Sequence, residues 1–176
     1  MLIDRLKERE RKVEDIFKLC RRTINRAGRA IEDLVEGKAV ELNFEEGKRI
    51  EELVKADPVL LGLVGGSVRV ALQEMAEAMI VREAIINNRI VLPEELEHSA
   101  VTGLADAIGE LKRYFLKELI KGNTKEAERI LKLTEEAYRM LVEFNFPQSV
   151  VPELKRKKDV ARGVLTSMLQ IMAEKS

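Results

Sequence analysis

Apolar residues recur along most of the chain at alternating intervals of three and four, which is the period of an amphipathic α-helix. The clearest stripe lies in the first segment, where we expect a helix over residues 2–34 that stops near Gly37. Its members are Val13, Ile16, Cys20, Ile24, Ala27, Ile31 and Leu34. Because the other long segments follow the same period rather than the alternation of a half-buried strand, the pattern predicts an all-α protein.

The four prolines stand where the helical pattern breaks. Further helices are expected over residues 44–55, 58–87, 99–121, 124–144 and from the turn at 147–152 to residue 173, with an extended stretch at 89–92 and a short helical turn after Pro93. The chain has no internal repeat. We therefore predict one domain over residues 1–176, a single antiparallel bundle of six to seven helices.

Composition narrows the function classes. The 176 residues carry 31 basic and 31 acidic side chains and are 45% hydrophobic, which favours a folded domain over a disordered chain. Five Phe, two Tyr and no Trp argue against an aromatic base-stacking sheet, and the single cysteine excludes an internal disulfide and a thiolate zinc site. Because the start is charged and no apolar run approaches about 18 residues, we expect a cytoplasmic protein with no membrane partner.

The third helix departs from a plain amphipathic pattern because it has a second apolar stripe that contains two glutamates. The main stripe comprises Val64, Val68, Ala71, Leu72, Met75, Met79 and Ile86, and the second comprises Leu63, Val70, Ala78, Val81 and Ile85. Glu74 and Glu77 are three residues apart and so lie side by side within it. Adjacent carboxylates among apolar neighbours are costly unless a proton or a cation such as Mg²⁺ satisfies them. Alternatively, both glutamates reach solvent or pair with Arg or Lys from another helix.

The fourth helix places two more carboxylates one turn apart. Its core face comprises Leu104, Ile108, Leu111, Phe115 and Leu119. Asp106 and Glu110 lie on the opposite face, which by itself is typical of a solvated surface with a Glu110–Arg113 ion pair. Gly103 and Gly109 each cost about 1 kcal/mol inside a helix, so they indicate the close approach of another element. If that element is the third helix, four carboxylates converge.

A basic strip lies on the first helix, where no acid occurs between Asp15 and Glu32. Arg22, Arg26 and Arg29 share one face at helical spacing. The strip is either a solvated basic face or a surface that contacts the phosphates of a nucleic acid.

Three stretches of the sequence resemble the translin family. They are residues 13–34 (VEDIFKLCRRTINRAGRAIEDL), residues 72–78 (LQEMAEA) and residues 103–111 (GLADAIGEL). The resemblance covers nearly the whole chain and is closer to the TRAX (translin-associated factor X) branch than to translin itself, because translin proper lacks the acidic pair in the third helix. The compact form resembles prokaryotic or archaeal members.

The resemblance implies a fold, an activity and a site. The family fold is an all-α bundle that assembles into octameric shells and binds single-stranded RNA or DNA. In the TRAX branch, a Mg²⁺-dependent endoribonuclease uses the two glutamates of LQExxEA and the aspartate of GxADxxGEL. These residues match Glu74, Glu77 and Asp106, and Glu110 holds the position of the glutamate in GEL.

We therefore expect a homo-oligomeric endoribonuclease, an octamer by analogy, that cleaves single-stranded RNA and has single-stranded DNA as a second ligand. Glu74, Glu77, Asp106 and Glu110 are the expected catalytic and metal-binding residues, for Mg²⁺ or for Mn²⁺ in its place. Arg22, Arg26 and Arg29 are the expected nucleic-acid contacts. The alternatives are a non-catalytic oligomer that binds single-stranded RNA or DNA, in which the carboxylates are structural, and a purely structural helical oligomer.

Overall fold

The computed structural model describes residues 1–175, which form six α-helices and one 3₁₀ turn. The elements are α1 (Leu2–Val35), α2 (Glu45–Ala56), α3 (Pro58–Asn87), the 3₁₀ turn (Glu94–Leu96), α4 (His98–Ile120), α5 (Thr124–Glu143) and α6 (Leu154–Ala173). No strand occurs within the described range, so the predicted all-α bundle is confirmed. Ser176, the last residue of the predicted domain, lies outside the described residues.

The helix ends follow from local signals in the sequence. Asp57 caps α3 by accepting a hydrogen bond from the Val59 amide at 3.2 Å, and Pro58 occupies the first turn. Gly122 follows α4 with φ +79°, a left-handed conformation that glycine adopts without strain. Asn88 ends α3 in the same region, with φ 53°. The connections from α2 to α3 (residue 57) and from α4 to α5 (residues 121–123) are short, and these neighbouring helices pack against each other.

Helix α4 is the central element, since it packs against α1, α3, α5 and α6. Its predicted core face is fully confirmed, because Leu104, Ile108, Leu111, Phe115 and Leu119 are all buried. A second, smaller apolar cluster joins α2 to the first halves of α1 and α3 and includes Ile16, Cys20, Ile50, Leu60 and Val64. The bundle therefore has a large core around α4 and a smaller one at its far end.

Helix α3 differs from its prediction at both ends. Ile86, expected in the main apolar stripe, is 46% exposed, and Leu63 and Val70 of the second stripe are 57% and 44% exposed. Ala78 and Val81 of that stripe are buried as expected. The first half of α3 packs on the cluster with α1 and α2 and the second half on α4, and the three exposed side chains lie outside both contacts.

By length and composition alone, α3 is the one helix among the described residues that could cross a membrane, a test that core helices of soluble proteins also pass. The expectation that no stretch of the chain is long and apolar enough to approach a membrane span is therefore wrong for α3, as judged by length and composition. The reason is that the first half of α3 contains Arg69 as its only charged residue.

Candidate functional site

Four helices line an open pocket of about 500 Å³, and all four carboxylates predicted for the site lie on its wall. Helix α3 supplies Glu74 and Glu77, and α4 supplies Asp106 and Glu110. The remaining wall comprises Gly28, Ile31 and Glu32 of α1, Ala105, Gly109 and Arg113 of α4, and Val160 and Val164 of α6. We call this cavity the acid pocket. The structure thus brings together the two acidic pairs that the sequence placed on separate helices.

Gly103 allows α3 and α4 to approach closely enough for the pairs to meet. A Cβ atom at Gly103 would lie 2.8 Å from the Cβ of Ala76 and 2.9 Å from the backbone nitrogen of Glu77. Distances this short do not occur between real side chains, so the prediction of a close approach at Gly103 is confirmed. At Gly109 a Cβ would meet nothing within 4 Å, so the same prediction is wrong there. Gly109 instead lies on the wall of the acid pocket, where the helices are separated by open space.

The two glutamates of α3 have no protein partner. The Glu77 side chain is only 7% exposed, and among residues 1–175 no hydrogen bond or ion pair reaches Glu74 or Glu77. Burial, followed by the charges of Glu74, Asp106 and Glu110, raises the pKa of Glu77 to about 8. Burial and then Asp106 also raise the pKa of Glu74. At neutral pH this pair therefore requires either a proton or an additional cation.

The two carboxylates of α4, in contrast, are held by protein groups. The Nζ of Lys157 donates to both Oδ atoms of Asp106 at 2.6 Å, and Gln73 donates to Oδ2 at 2.7 Å. The Nη1 of Arg113 donates to Glu110 at 2.6 Å, which confirms the predicted ion pair. The second nitrogen of the Arg113 guanidinium lies 2.8 Å from Glu32. The α4 half of the acid pocket is therefore neutralised, whereas the α3 half is not.

The donor set suits a hard divalent cation. Five carboxylates line the acid pocket against the cations of Lys157 and Arg113, and carboxylate oxygens are the ligands that Mg²⁺ and Mn²⁺ prefer. In the present rotamers no three His, Cys, Asp or Glu side chains of the described chain are close enough to share one ion. Asp106 turns towards Lys157 and Glu110 towards Arg113. The residues fit such an ion by chemistry and by excess charge, and a third carboxylate can join Glu74 and Glu77 only when Asp106 or Glu110 turns away from its present partner.

The basic strip does not join the acid pocket. Arg22, Arg26 and Arg29 are all exposed, but the α1 residues that line the pocket are Gly28, Ile31 and Glu32. Arg26 faces α2, where its guanidinium lies 2.9 Å from a carboxylate oxygen of Glu46 and donates to the carbonyl of Asn43. Arg22 and Arg29 have no ion pair within the described part of the chain. Two of the three arginines are therefore free to contact a phosphate.

Lys157 is the first of three site residues that the sequence did not indicate. It belongs to a run of four basic residues at 155–158, and nothing in the sequence pattern of that run distinguishes it from its neighbours. A signal was nevertheless present, because the buried residues of α6 are Leu154, Lys157, Ala161 and Met168, which share one helical face. A lysine in register with core positions indicates an internal counter-ion. Gln73 and Glu32 were missed because their roles depend on contacts between helices.

Comparison with known proteins places the fold. No model of a known protein family matches the chain. Over 97 residues it is 38% identical to an uncharacterized protein of Methanocaldococcus jannaschii, a match that spans 53% of this chain and 43% of that relative. The crystal structure of apo-NeC3PO, from Nematostella, is 23% identical and has a TM-score of 0.75, with 99% of this chain and 95% of that chain covered. This likeness supports the fold alone.

The solved structures from Archaeoglobus are nearer in sequence. The crystal structure of AfC3PO is 33% identical with a TM-score of 0.77, and the match covers 96% of this chain and 92% of that chain. The structure of the AfC3PO–duplex RNA complex is 32% identical with a TM-score of 0.73, over 96% and 91% of the two chains. C3PO is the translin–TRAX complex. Since sequence and fold agree over almost the full length of both chains, the protein belongs to the translin family.

Proposed function

We propose that the protein is a Mg²⁺-dependent endoribonuclease of the TRAX-like branch that cleaves single-stranded RNA. The main support is the state of Glu77, a buried carboxylate without a protein partner beside three further carboxylates. A group of this kind is retained at a cost in stability, which is typical of residues kept for function. Translin-family membership and the match of both acidic motifs to the TRAX pattern agree with this proposal.

In this proposal the four carboxylates have separate roles. Glu74 and Glu77 hold the cation from α3, and Asp106 holds it from α4. Glu110 either completes the ligand set or accepts the proton of the attacking water at its carboxylate oxygen. When bound, Mg²⁺ or Mn²⁺ supplies Lewis-acid polarisation of a phosphate oxygen and lowers the pKa of a bound water. The Ile31, Ala105, Val160 and Val164 side chains form the apolar part of the wall.

We also propose that RNA binds inside a homo-oligomer, an octamer, in the cytoplasm. The support is the AfC3PO–duplex RNA complex, whose protein is similar to this chain over nearly its full length. Arg22 and Arg29 are exposed cations that can steer the phosphate backbone, whereas Arg26 must first leave Glu46. Replacing Arg22 and Arg29 by alanine should weaken binding of single-stranded RNA or DNA and reduce its salt dependence.

The proposal is tested by cleavage of a labelled single-stranded RNA with Mg²⁺ and with EDTA. The wild type is compared with Glu74→Ala/Glu77→Ala and with the control Glu45→Ala/Glu52→Ala, which removes two exposed acids of α2. We expect cleavage only with metal, its loss in the first double variant and its retention in the control. Metal-independent cleavage, or equal cleavage by both double variants, would contradict the assignment.

A second candidate is a non-catalytic oligomer that binds single-stranded nucleic acid. It is favoured by the pairing of Asp106 with Lys157 and of Glu110 with Arg113, which satisfies half of the acid pocket without metal. In that case the protein would bind RNA with an affinity that falls with salt, and the double variant would bind equally well. No cleavage product would form with or without Mg²⁺.

A further inference from the structure

Lys157 differs from every other cation of the basic run at the start of α6. Its side chain is only 7% exposed, whereas Lys155 and Arg156 are exposed. Lys158 is half-buried and donates to the carbonyl oxygens of Val142 and Phe144. Removing an ammonium group from water costs several kcal/mol unless a counter-ion and hydrogen bonds compensate. The carboxylate of Asp106 therefore explains how Lys157 can be buried inside the bundle.

The Lys157 ammonium contacts Asp106, and its charge also influences the two glutamates of α3. Its Nζ is 2.6 Å from each Oδ atom of Asp106, so it lies between the two oxygens as a cation ligated by that carboxylate would. The Gln73 amide takes a further lone pair on Oδ2. The positive charge of Lys157 also opposes the upward pKa shifts of Glu74 and Glu77. Three of the roughly four acceptor positions of this carboxylate are thus occupied, and a divalent cation that binds Asp106 meets the opposing charge of the lysine.

We propose that Lys157 is the internal counter-ion of the acid pocket, which holds Asp106 in the metal-free protein and competes with the divalent cation for that carboxylate. Lys157 is then a positioning residue rather than a catalytic one. Its presence keeps the metal-free pocket folded and lowers its affinity for metal. This inference rests on the metal binding in the proposed function, and its test separates the two.

The physical consequence is specific to the charge of Lys157. A neutral side chain of similar length frees Oδ1 of Asp106, leaves only the Gln73 bond on Oδ2 and removes a positive charge from the immediate surroundings of the ion. Lys157→Met should therefore bind divalent metal about tenfold more tightly than the wild type, the change in affinity that a pKa shift of about one would produce. The same variant leaves the carboxylates without their cation, so it should melt at a lower temperature in EDTA.

The test is a calorimetric titration of Mn²⁺ into the RNA-free protein. The variants are Lys157→Met, Lys157→Arg and the matched control Lys155→Met, which removes the same charge from an exposed position of the same helix. We expect tighter binding in Lys157→Met, and wild-type affinity in Lys157→Arg and in the control. A larger metal-induced rise in melting temperature should accompany the tighter binding. If Lys157→Met does not fold, Lys157→Gln is used in its place, because the amide still donates to Asp106 but carries no charge.

Three results of this titration would overturn the inference. Unchanged or weaker Mn²⁺ binding in the neutral variants, with binding retained in the wild type, overturns the inference and leaves the proposed function standing. Tighter binding in Lys157→Met and equally in Lys155→Met overturns it as well, because the effect would then come from overall charge. Absence of Mn²⁺ binding in all four proteins removes the metal chemistry of the proposed function, and the inference with it.

Discussion

Two carboxylates on the same helix have opposite surroundings. Glu77 lies in the acid pocket, and Glu83 lies less than two turns further along α3 in a cluster with Arg82, Asn87 and Arg89. Glu83 receives hydrogen bonds from Arg82 at 3.1 Å, from Asn87 at 2.9 Å and from Arg89 at 2.7 Å. Burial alone would raise the pKa of Glu83, but the bonds from Asn87 and Arg89 hold it below its ordinary value. For Glu77 burial and neighbouring acids act in the same direction.

The difference separates a carboxylate that its own segment satisfies from one that the chain leaves without a partner. Glu83 is satisfied by residues close to it in sequence, so the cluster is complete within its own segment of the chain. The groups around Glu77 come from other turns and other helices, and three of them are carboxylates. A site that gathers like charges in a half-buried pocket is unfavourable by itself. Its persistence is explained if something outside the chain completes it.

The largest expected effect is on catalysis. Glu77→Ala should reduce Mg²⁺-dependent cleavage of single-stranded RNA by at least about 10²-fold, because it removes one of the carboxylates proposed to hold the metal. Glu83→Ala should cleave at nearly the wild-type rate. Initial rates on a labelled RNA measure the effect, and filter binding in EDTA checks that both variants retain RNA. Equal rates in the two variants would show that the contrast between the two carboxylates has no catalytic meaning.

The next largest effect is expected in the way the free energy of unfolding depends on pH when no metal is present. For Glu77 the pKa is about 8 in the folded state and 4.5 as its ordinary value, so the folded state favours the protonated form. Its contribution to stability is therefore full below pH 4.5 and is lost as the pH rises through about 8. In the wild type this should lower the free energy of unfolding by on the order of a few kcal/mol between pH 5 and 9, and Glu77→Gln should remove that pH dependence.

Glu83 provides the control with the opposite sign. Its folded-state pKa is lowered, so its stabilising contribution is present above its ordinary pKa and is lost as the pH falls. Urea unfolding in EDTA at several pH values measures the stability of Glu77→Gln and of Glu83→Ala. A Glu77→Gln protein that still loses stability as the pH rises from 5 to 9, to the same extent as the wild type, would argue against the burial of an unpaired carboxylate.

An intermediate effect concerns the contact that brings the two acidic pairs together. Gly103→Ala should destabilise the protein by about 1–3 kcal/mol, because its Cβ would collide with Ala76 and with the backbone of α3. Gly109→Ala meets open space and should instead raise stability by up to about 1 kcal/mol through helix propensity. Thermal and urea unfolding of both variants give the comparison. Similar changes in the two would mean that α3 and α4 are not in close contact at Gly103.

The smallest effect is expected in the Glu83 cluster. Arg89 is 63% exposed, and exposed ion pairs contribute little because solvent and salt screen them. Arg89→Ala should therefore lower the free energy of unfolding by less than about 1 kcal/mol, and high salt should reduce the difference further. A loss as large as that for Gly103→Ala would show that the cluster has a structural role beyond its local ion pairs.

Much of this architecture was predictable because it depends on neighbours in sequence. The helix bounds, the α4 core face and the Glu110–Arg113 pair all depend on residues within a few turns of one another. The acid pair on α3 could be recognised for the same reason, since two glutamates stand inside an apolar stripe. The exposure of Ile86 and the open space at Gly109 could not be predicted, because both depend on where a second helix stops covering the first.

By itself the sequence determined the six helices, the unfavourable acidic pair at Glu74 and Glu77, and the glycine at 103 that permits a close approach. Only the tertiary structure decided that Asp106 and Glu110 join this pair, that Arg26 faces α2, and that Lys157 is the one buried cation of its run. The physical reason is that helix periodicity fixes which residues share a face, whereas the crossing of helices fixes which faces meet. Charges far apart in the chain acquire their partners only when those faces are in contact.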